Sequence, residues 1–181
     1  MNPRALPAVR RLAHLLLERA AAGTPTDLDG AARLVDARRI PSSEQRLRVA
    51  REALSLARAA ASRLGRDHRF AGELRTNLRI ALRDRKDAPF TVTVPSVVVR
   101  PDGTAAVVVL APAGDRAAEA RARRYRLAVG RLRKRRADAF LFRSDGTVEK
   151  VPVSRSGPRG AAYPGRGCSP SGHPQSGRRP R

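Results

Sequence analysis

The chain has 181 residues, the size of one domain, and its formal net charge is +22 at pH 7. This excess of positive charge favours nucleic acid over a small-molecule partner, although an acidic protein or an anionic membrane would also attract it. The single Cys168 excludes a disulfide framework and a Cys-ligated zinc or iron–sulfur centre within the chain.

One cysteine makes a reducing cytoplasm the expected compartment. The first apolar patch is short and is interrupted by Arg10, Arg11 and His14, so the sequence predicts neither a signal peptide nor a membrane span. Tryptophan is absent and aromatic residues are only 3% of the chain, so the core must be built from Ala, Val and Leu.

The N-terminal half is predicted to be helical. A first helix covers residues 7–22, and a short second helix has Thr26 as its expected cap. A third begins after Pro41, where Ser42 and Gln45 fit a capping box. A fourth is predicted over residues 70–85, from apolar residues recurring at intervals of four and three.

The second half alternates strands and turns. Residues 90–94 and 96–99 predict two short strands separated by Pro95, and residues 104–110 predict a third that is apolar on both faces. A tight turn at Arg100–Thr104 joins the second strand to the third. The same type of turn at Arg143–Thr147 joins residues 139–142 to residues 148–153.

Between the two hairpins, a helix is predicted from a cap at Asp115 to about Arg136. Its apolar stripe is Ala118, Ala122, Tyr125, Val129 and Leu132. The other faces carry ten basic residues against Glu119, so such a helix repels itself unless a polyanion is near. We expect nine of them to bind nucleic acid: Arg121, Arg123, Arg124, Arg126, Arg131, Arg133, Lys134, Arg135 and Arg136.

The composition changes after Val153. Residues 154–181 contain six Gly, five Pro and six Arg but no acid, which predicts a disordered basic tail. A frameshifted or read-through end fits the same composition. We therefore expect one domain over residues 1–153, with a helical part at 7–85 and a sheet with the basic helix at 88–153.

From about Ala8 to Val153 the chain resembles the nuclease domain of the RecB and AddA helicase–nucleases, which belong to the PD-(D/E)XK superfamily. Those domains begin with a helix carrying Gly-x-x-x-His-x-x-Leu-Glu, and the segment from Arg10 through His14 to Glu18 matches it except for the Gly. A Glu-x-Pro-Phe-like segment leads into their first strand, where this chain has Asp87-Ala-Pro-Phe90.

Two further motifs lie in corresponding places. The family's Tyr-x-x-Gln-Leu helix aligns with the segment beginning at Tyr125, and its Leu-x-x-x-Asp-Gly-like hairpin aligns with Leu141–Gly146. The resemblance implies a restriction-endonuclease-like α/β fold, with a core of helix, three strands, helix and strand and an N-terminal helical layer. It also implies a link to DNA recombination and repair, with a UvrD-like helicase as partner.

The residues that perform the family's chemistry differ in this chain. Metal-dependent cleavage needs carboxylates that hold Mg²⁺ against a phosphate oxygen, and a lysine that assists the attacking water. The second-strand Asp position aligns with Ser96 or Val97. The third-strand Asp and Lys align with Val109 and Ala111, and the helix Gln aligns with Ala128. We therefore expect DNA binding without cleavage, no cofactor, no small-molecule substrate and no membrane association.

Three different functions also fit the residues. The first is an active Mg²⁺-dependent deoxyribonuclease with migrated ligands, using Asp87, Asp102 or Asp115 with His14. The polar neighbours of His14 predict an exposed side chain, so His14 and Asp87 are weak catalytic candidates. Asp102 and Asp145 lie in turns, where Asp is favoured for local backbone contacts. The second is a basic RNA- or ribosome-associated protein, and the third is a decayed gene fragment.

Overall fold

A computed structural model describes residues 5–83 and 87–153; the predicted basic tail lies outside them. The helices are α1 (Leu6–Ala21), α2 (Leu28–Arg33), α3 (Ser43–Arg66) and α4 (Ala118–Arg133), with a short 3-10 turn at His68–Phe70. The strands are β1 (Glu73–Arg83), β2 (Pro89–Val99), β3 (Ala105–Ala111), β4 (Ala137–Arg143) and β5 (Val148–Lys150).

The five strands form one mixed sheet in the order β1-β2-β3-β4-β5. Strands β3 and β4 are parallel because α4 connects them across one face, whereas the other neighbouring pairs are antiparallel. The α/β class is confirmed, and β3 is the central strand.

The predicted helix over residues 70–85 is wrong, because residues 73–83 form β1. From Glu73 to Arg83, partly or fully buried residues alternate with exposed ones, which is the period of a strand. Leu74, Leu78 and Leu82 satisfy a four-residue helical spacing as well, but the buried Ile80 fits only the two-residue period. The helical part of the chain therefore ends near residue 70, before the predicted boundary at 85.

The two short strands predicted around Pro95 are a single strand, β2. One predicted helix is a strand, and two predicted strands are one, so the number of strands before α4 is still three. The predicted order of helix, three strands, helix and strand is therefore found with different elements. Pro95 is nevertheless a point of irregularity. Thr76 pairs with Ser96 and Leu78 pairs with Val94, so Pro95 lies opposite Asn77. Asn77 adopts a left-handed φ of 51°.

The β1–β2 hairpin changes face at this irregularity. Residues two apart in a regular strand share a face, yet Ser96 contacts α1 while Val94 packs in the cluster below α4. On β1, Leu74 packs with the N-terminal helices and Leu78 with the α4 cluster. The outer half of the hairpin is thus turned towards α4, and we call this point the hairpin kink, at Asn77 and Pro95.

Each face of the sheet has its own hydrophobic core. Helices α1 and α3 pack on one face, against residues such as Val108, Leu110 and Phe140, and α2 packs on α3. Helix α4 packs on the other face, where Val107, Val109 and Val129 are buried. The residues of β3 are buried on both sides, as the continuous apolar run predicted.

Of the three helix N-caps that the sequence predicts, one is confirmed. The Ser42 side chain accepts a hydrogen bond from the Gln45 backbone N–H at 3.3 Å, as the capping box predicted. The cap of α2 is Asp27 rather than Thr26, and its carboxylate accepts from the Gly30 N–H at 2.7 Å. Asp115 does not cap α4, because the N-cap residue is Ala117, which makes no side-chain hydrogen bond.

Both predicted hairpin turns are confirmed. Gly103 and Gly146 have φ values of 79° and 80°, which a side chain would disfavour. In each turn an Asp carboxylate accepts the backbone N–H of the Thr two residues later, at 2.8 Å for Asp102 and 2.9 Å for Asp145. The hydroxyl of the same Thr also donates to each carboxylate, and this bond, followed by the backbone N–H bond, lowers the pKa of both carboxyls and gives both residues a structural role.

Candidate functional site

A cavity of about 400 Å³ opens at the hairpin kink, between α1, the two strands and α4. We call it the kink cleft. It exists because the hairpin changes face here and leaves its polar side turned towards α1. Its walls are Arg10, Arg11, His14, Leu15 and Glu18 of α1, Asn77 of β1, Thr93 and Pro95 of β2, and Tyr125 of α4.

His14 is buried in the wall of this cleft, which contradicts its predicted exposure: only 8% of its surface is accessible. Its Nδ1 lies 2.9 Å from the Ser96 hydroxyl oxygen, and Ser96 has no accessible surface. Burial lowers the pKa of His14 to about 3, and the charges of Arg10 and Arg121 contribute to the lowering. The imidazole is therefore neutral at physiological pH.

The contact with Ser96 is compatible with both tautomers of the His14 imidazole. Among the described residues, the hydroxyl of Ser96 has His14 Nδ1 as its hydrogen-bond partner. If the hydroxyl donates to Nδ1, Nε2 carries the imidazole proton; if Nδ1–H donates to the hydroxyl oxygen, Nε2 is an acceptor. That Nε2 is buried and has no hydrogen-bond partner among the described residues. In either tautomer His14 thus has one buried ring nitrogen without a hydrogen-bond partner among the described residues, which is rare in folded proteins.

A charged cluster adjoins His14. The Asp115 carboxylate, with 6% of its side chain exposed, accepts from Arg10 at 3.5 Å and also forms an ion pair with Arg121. This carboxylate holds α1 and α4 together beyond the end of β3. The predicted role of Asp115 as a helix cap is therefore wrong. Its side chain instead contacts Arg10, which is 105 residues away along the chain.

The residues aligned with the nuclease motif are divided between the two faces. Ser96 contacts His14 on the face that the N-terminal helices cover, whereas Val109 and Ala111 pack in the α4 core, 1% and 2% exposed. Neither Val109 nor Ala111 lines the kink cleft. Val97, the alternative to Ser96, lies on the α4 side with them.

Asp87 and Asp102, the further acidic candidates, do not join this site. Asp87 is in the β1–β2 connection, where its exposed carboxylate pairs with Arg83 at 2.7 Å. Asp102 is in the turn after β2, where it accepts from Thr104. Of the three candidates, only Asp115 is brought near His14, through the arginines that the two share. Among the described residues, no group of three or more His, Cys, Asp or Glu is placed to hold a metal ion.

Several basic side chains of α4 are already buried or paired within the protein. Arg126, predicted on the exposed face, is instead buried, with its NH1 donating to the carbonyl oxygens of Val151 and Pro152. The stripe residue Leu132 is 52% exposed, so Arg126 and Ala128 complete the buried face in its place. Arg121 and Arg123 form ion pairs with Asp115 and Glu119.

Two more basic residues near the C-terminal end of α4 bind the neighbouring turn. The guanidinium of Arg133 donates to the Gly103 carbonyl at 3.2 Å, and that of Arg135 donates to the Asp102 carbonyl at 2.6 Å. Five basic residues of this segment are exposed and have no side-chain hydrogen bond or ion pair within the described parts of the chain. They are Arg116, Arg124, Arg131, Lys134 and Arg136.

Comparison with known proteins identifies no relative: no family model, curated protein or solved structure matches the chain. Within residues 5–83 and 87–153, no helix combines the length and apolar character needed to cross a bilayer.

Proposed function

We propose that this protein binds nucleic acid, with DNA as the expected form, through phosphate contacts and without cleaving it. The carrying observation is a set of five exposed basic residues on and beside α4 that have no side-chain partner within residues 5–83 and 87–153. We call them the α4 cations: Arg116, Arg124, Arg131, Lys134 and Arg136. Cations without acidic neighbours raise the local positive potential, and phosphate groups compensate it. Backbone contacts of this kind give affinity with little base specificity.

We further propose a degenerate, restriction-endonuclease-like fold related to the RecB and AddA nuclease domains. The strand order, with three antiparallel strands followed by a helical crossover to a parallel fourth, supports this relationship. The contact between His14 and Ser96 supports it as well, because these residues align with the family's His and one of its Asp positions. On this proposal the protein acts in DNA recombination or repair, with a UvrD-like helicase as partner.

The absence of cleavage follows from the side chains at the aligned positions. Val109 and Ala111 cannot hold a cation or assist a water molecule, and they face α4 rather than His14. A cation brought to this sheet would meet apolar side chains where the mechanism needs carboxylates. We therefore expect the purified protein with Mg²⁺ or Mn²⁺ to leave linear single- and double-stranded DNA intact. Degradation that disappears in both His14→Ala and Asp115→Asn would contradict this and support migrated ligands.

The binding site can be tested with two variants of equal charge. The first changes Arg116, Arg124, Arg131 and Arg136 to Gln. The second, a matched control, changes four exposed arginines of α3 to Gln: Arg51, Arg58, Arg63 and Arg66. Both variants lose four positive charges, so a difference between them reports position rather than net charge.

The measurement is the affinity for a fluorescent DNA duplex as a function of salt. If about six to ten phosphates are neutralised, raising salt from about 50 to 200 mM lowers the affinity of the unaltered protein by roughly 10³ to 10⁵. The α4 variant loses about three to four units of the log–log salt slope, and the α3 variant loses less. Equal losses in the two variants would refute the assignment to α4. Tighter binding to RNA of the same sequence would favour an RNA-associated protein.

A further inference from the structure

An apolar side chain lies at the centre of the solvent-facing side of α4. Leu127 is 59% exposed, more than any other large hydrophobic residue in the described parts of the chain. Successive residues of a helix are turned by about 100°, so Leu127 lies opposite Ala122 and Val129, which are buried against the sheet. Arg124 and Arg131 lie within about 60° of Leu127 on the solvent side. The outermost stripe of α4 therefore has a leucine between two cations.

The two arginines beside Leu127 are free to bind an anion. Arg124 and Arg131 are exposed and have no side-chain hydrogen bond or ion pair within residues 5–83 and 87–153. Glu119, the acid of α4, is paired with Arg123. The helix itself therefore offers no carboxylate to Arg124 and Arg131, and the proposed function assigns phosphate groups to them.

The positions of the two arginines place a sugar against Leu127. Arg124 and Arg131 are seven residues apart, which is about 10 Å along the helix axis. Their side chains are long, and guanidinium groups bind phosphate oxygens through two parallel hydrogen bonds. The backbone of a nucleic acid alternates phosphates and sugars. When the two arginines hold neighbouring phosphates of one strand, the sugar that joins those phosphates therefore lies over Leu127.

The side chain of Leu127 interacts differently with the two kinds of sugar. At C2′ the sugar of DNA has a methylene group, whereas the sugar of RNA has a hydroxyl group. Contact between Leu127 and the methylene removes apolar surface from water, which is favourable. Contact with the hydroxyl removes a polar group from water and supplies no hydrogen-bond partner, which is unfavourable. A leucine at this position therefore favours DNA over RNA.

We propose that Leu127 is a specificity-determining residue that selects DNA over RNA. It does so by packing against the C2′ methylene of the sugar between the phosphates that Arg124 and Arg131 bind. This inference rests on the proposed function and deepens it, because the α4 cations bind the phosphates of either nucleic acid and Leu127 distinguishes the sugars. The selection concerns the sugar and not the base, as expected for contacts to the nucleic-acid backbone.

The test compares DNA and RNA of one sequence of about 12 nucleotides, each as a single strand and as a duplex. Fluorescence anisotropy gives their affinities for the full chain, and the ratio of DNA to RNA affinity is taken for the form that binds more tightly. DNA is expected to bind about fivefold more tightly, at the low end of the cost of burying an unpaired hydroxyl. Equal affinities, or tighter binding of RNA, overturn the inference and leave phosphate binding intact. Failure of all four probes to bind refutes the proposed function and the inference with it.

Two variants assign the preference to Leu127. Leu127→Gln retains a residue that favours the helix and supplies an amide that can hydrogen-bond the 2′ hydroxyl, so the affinity ratio is expected to fall from about five to about one. Leu132→Gln, the matched control, makes the same change at an exposed leucine that is turned by about 140° from Leu127, and it keeps the ratio of the unaltered protein. Neither change alters a charge, so both variants keep the salt slope. The same ratio in the two variants overturns the inference.

Discussion

Arg126 allows the structural and binding roles of α4 to be separated. Its NH1 donates to the carbonyl oxygens of Val151 and Pro152, at 3.2 and 3.1 Å, and thereby fixes the segment after β5 to α4. The change Arg126→Met keeps the apolar stem and removes this donor. A hydrogen bond from a charged group contributes about 1.5–3 kcal/mol, and the Val151 carbonyl is left without its partner. We expect a loss of about 2–3 kcal/mol in the free energy of unfolding.

The comparison variant is Arg124→Met, two residues earlier and exposed. Surface changes of this kind usually alter stability by less than about 0.5 kcal/mol. For a domain of this size, 1 kcal/mol corresponds to roughly 2–4 °C in Tm, so Arg126→Met is expected to melt about 4–12 °C lower and Arg124→Met at nearly the unaltered temperature. Differential scanning fluorimetry and urea unfolding measure both.

The effects of the two variants on DNA binding are expected to be the reverse of their effects on stability. Arg124→Met removes one phosphate contact and lowers the salt slope by about one unit, whereas Arg126→Met leaves the slope unchanged at temperatures where the protein is folded. Destabilisation by Arg124→Met together with weakened binding by Arg126→Met would refute the division of α4 into a buried arginine and exposed cations.

The pH dependence of stability provides a second prediction. The pKa of His14 is about 3 in the folded protein, and its ordinary value is 6.5. Between these two pH values the unfolded chain binds more protons than the folded protein does. The stability that comes from keeping His14 neutral is therefore complete above pH 6.5 and is lost as the pH falls towards 3. Between about pH 7 and pH 5 the loss is about 2 kcal/mol, and urea unfolding at the two pH values should show it in the parent but not in His14→Gln. Gly72→Ala places a Cβ 2.2 Å from the Val99 carbonyl oxygen and should cost more than about 2 kcal/mol, which thermal melting will detect. Asn77→Val combines a β-branched residue with a left-handed φ and removes the bond to Glu18, so its Tm should fall further than that of Asn77→Gly.

The elements predicted correctly are those whose signals are local. Both hairpin turns carry Asp-Gly followed by Thr, and the chemistry of those residues fixes the turn without help from the rest of the chain. The Ser42 cap and the apolar β3 are similarly local. Strand β1 is mistaken for a helix because Leu74 and Leu78 fit both periods, and the decision between them depends on pairing with β2, which lies at a distance along the chain.

The kink cleft cannot be predicted from the pattern of residues. Its parts come from α1, both strands of a hairpin and α4, and they meet only because the hairpin changes face. The resemblance singles out His14, Ser96 and Tyr125, although the polar neighbours of His14 predict exposure. The positions of Asp115 and Arg126 have no detectable signal in the sequence, because an acid before a helix and a basic residue within one are ordinarily exposed.

The position of β1 at the edge of the sheet has a consequence for self-association. An edge strand of 11 residues offers free backbone groups to a second copy, and long edges of this kind promote aggregation. Here the edge carries the exposed Arg75, Arg79 and Arg83, and the left-handed residue Asn77 bends it. Arg75 and Arg83 form ion pairs with Glu73 and Asp87, so the charge of Arg79 and the bend are what oppose the approach of another strand. Such repulsion weakens as ionic strength rises, so concentrated solutions of this protein will be most stable against precipitation at low salt.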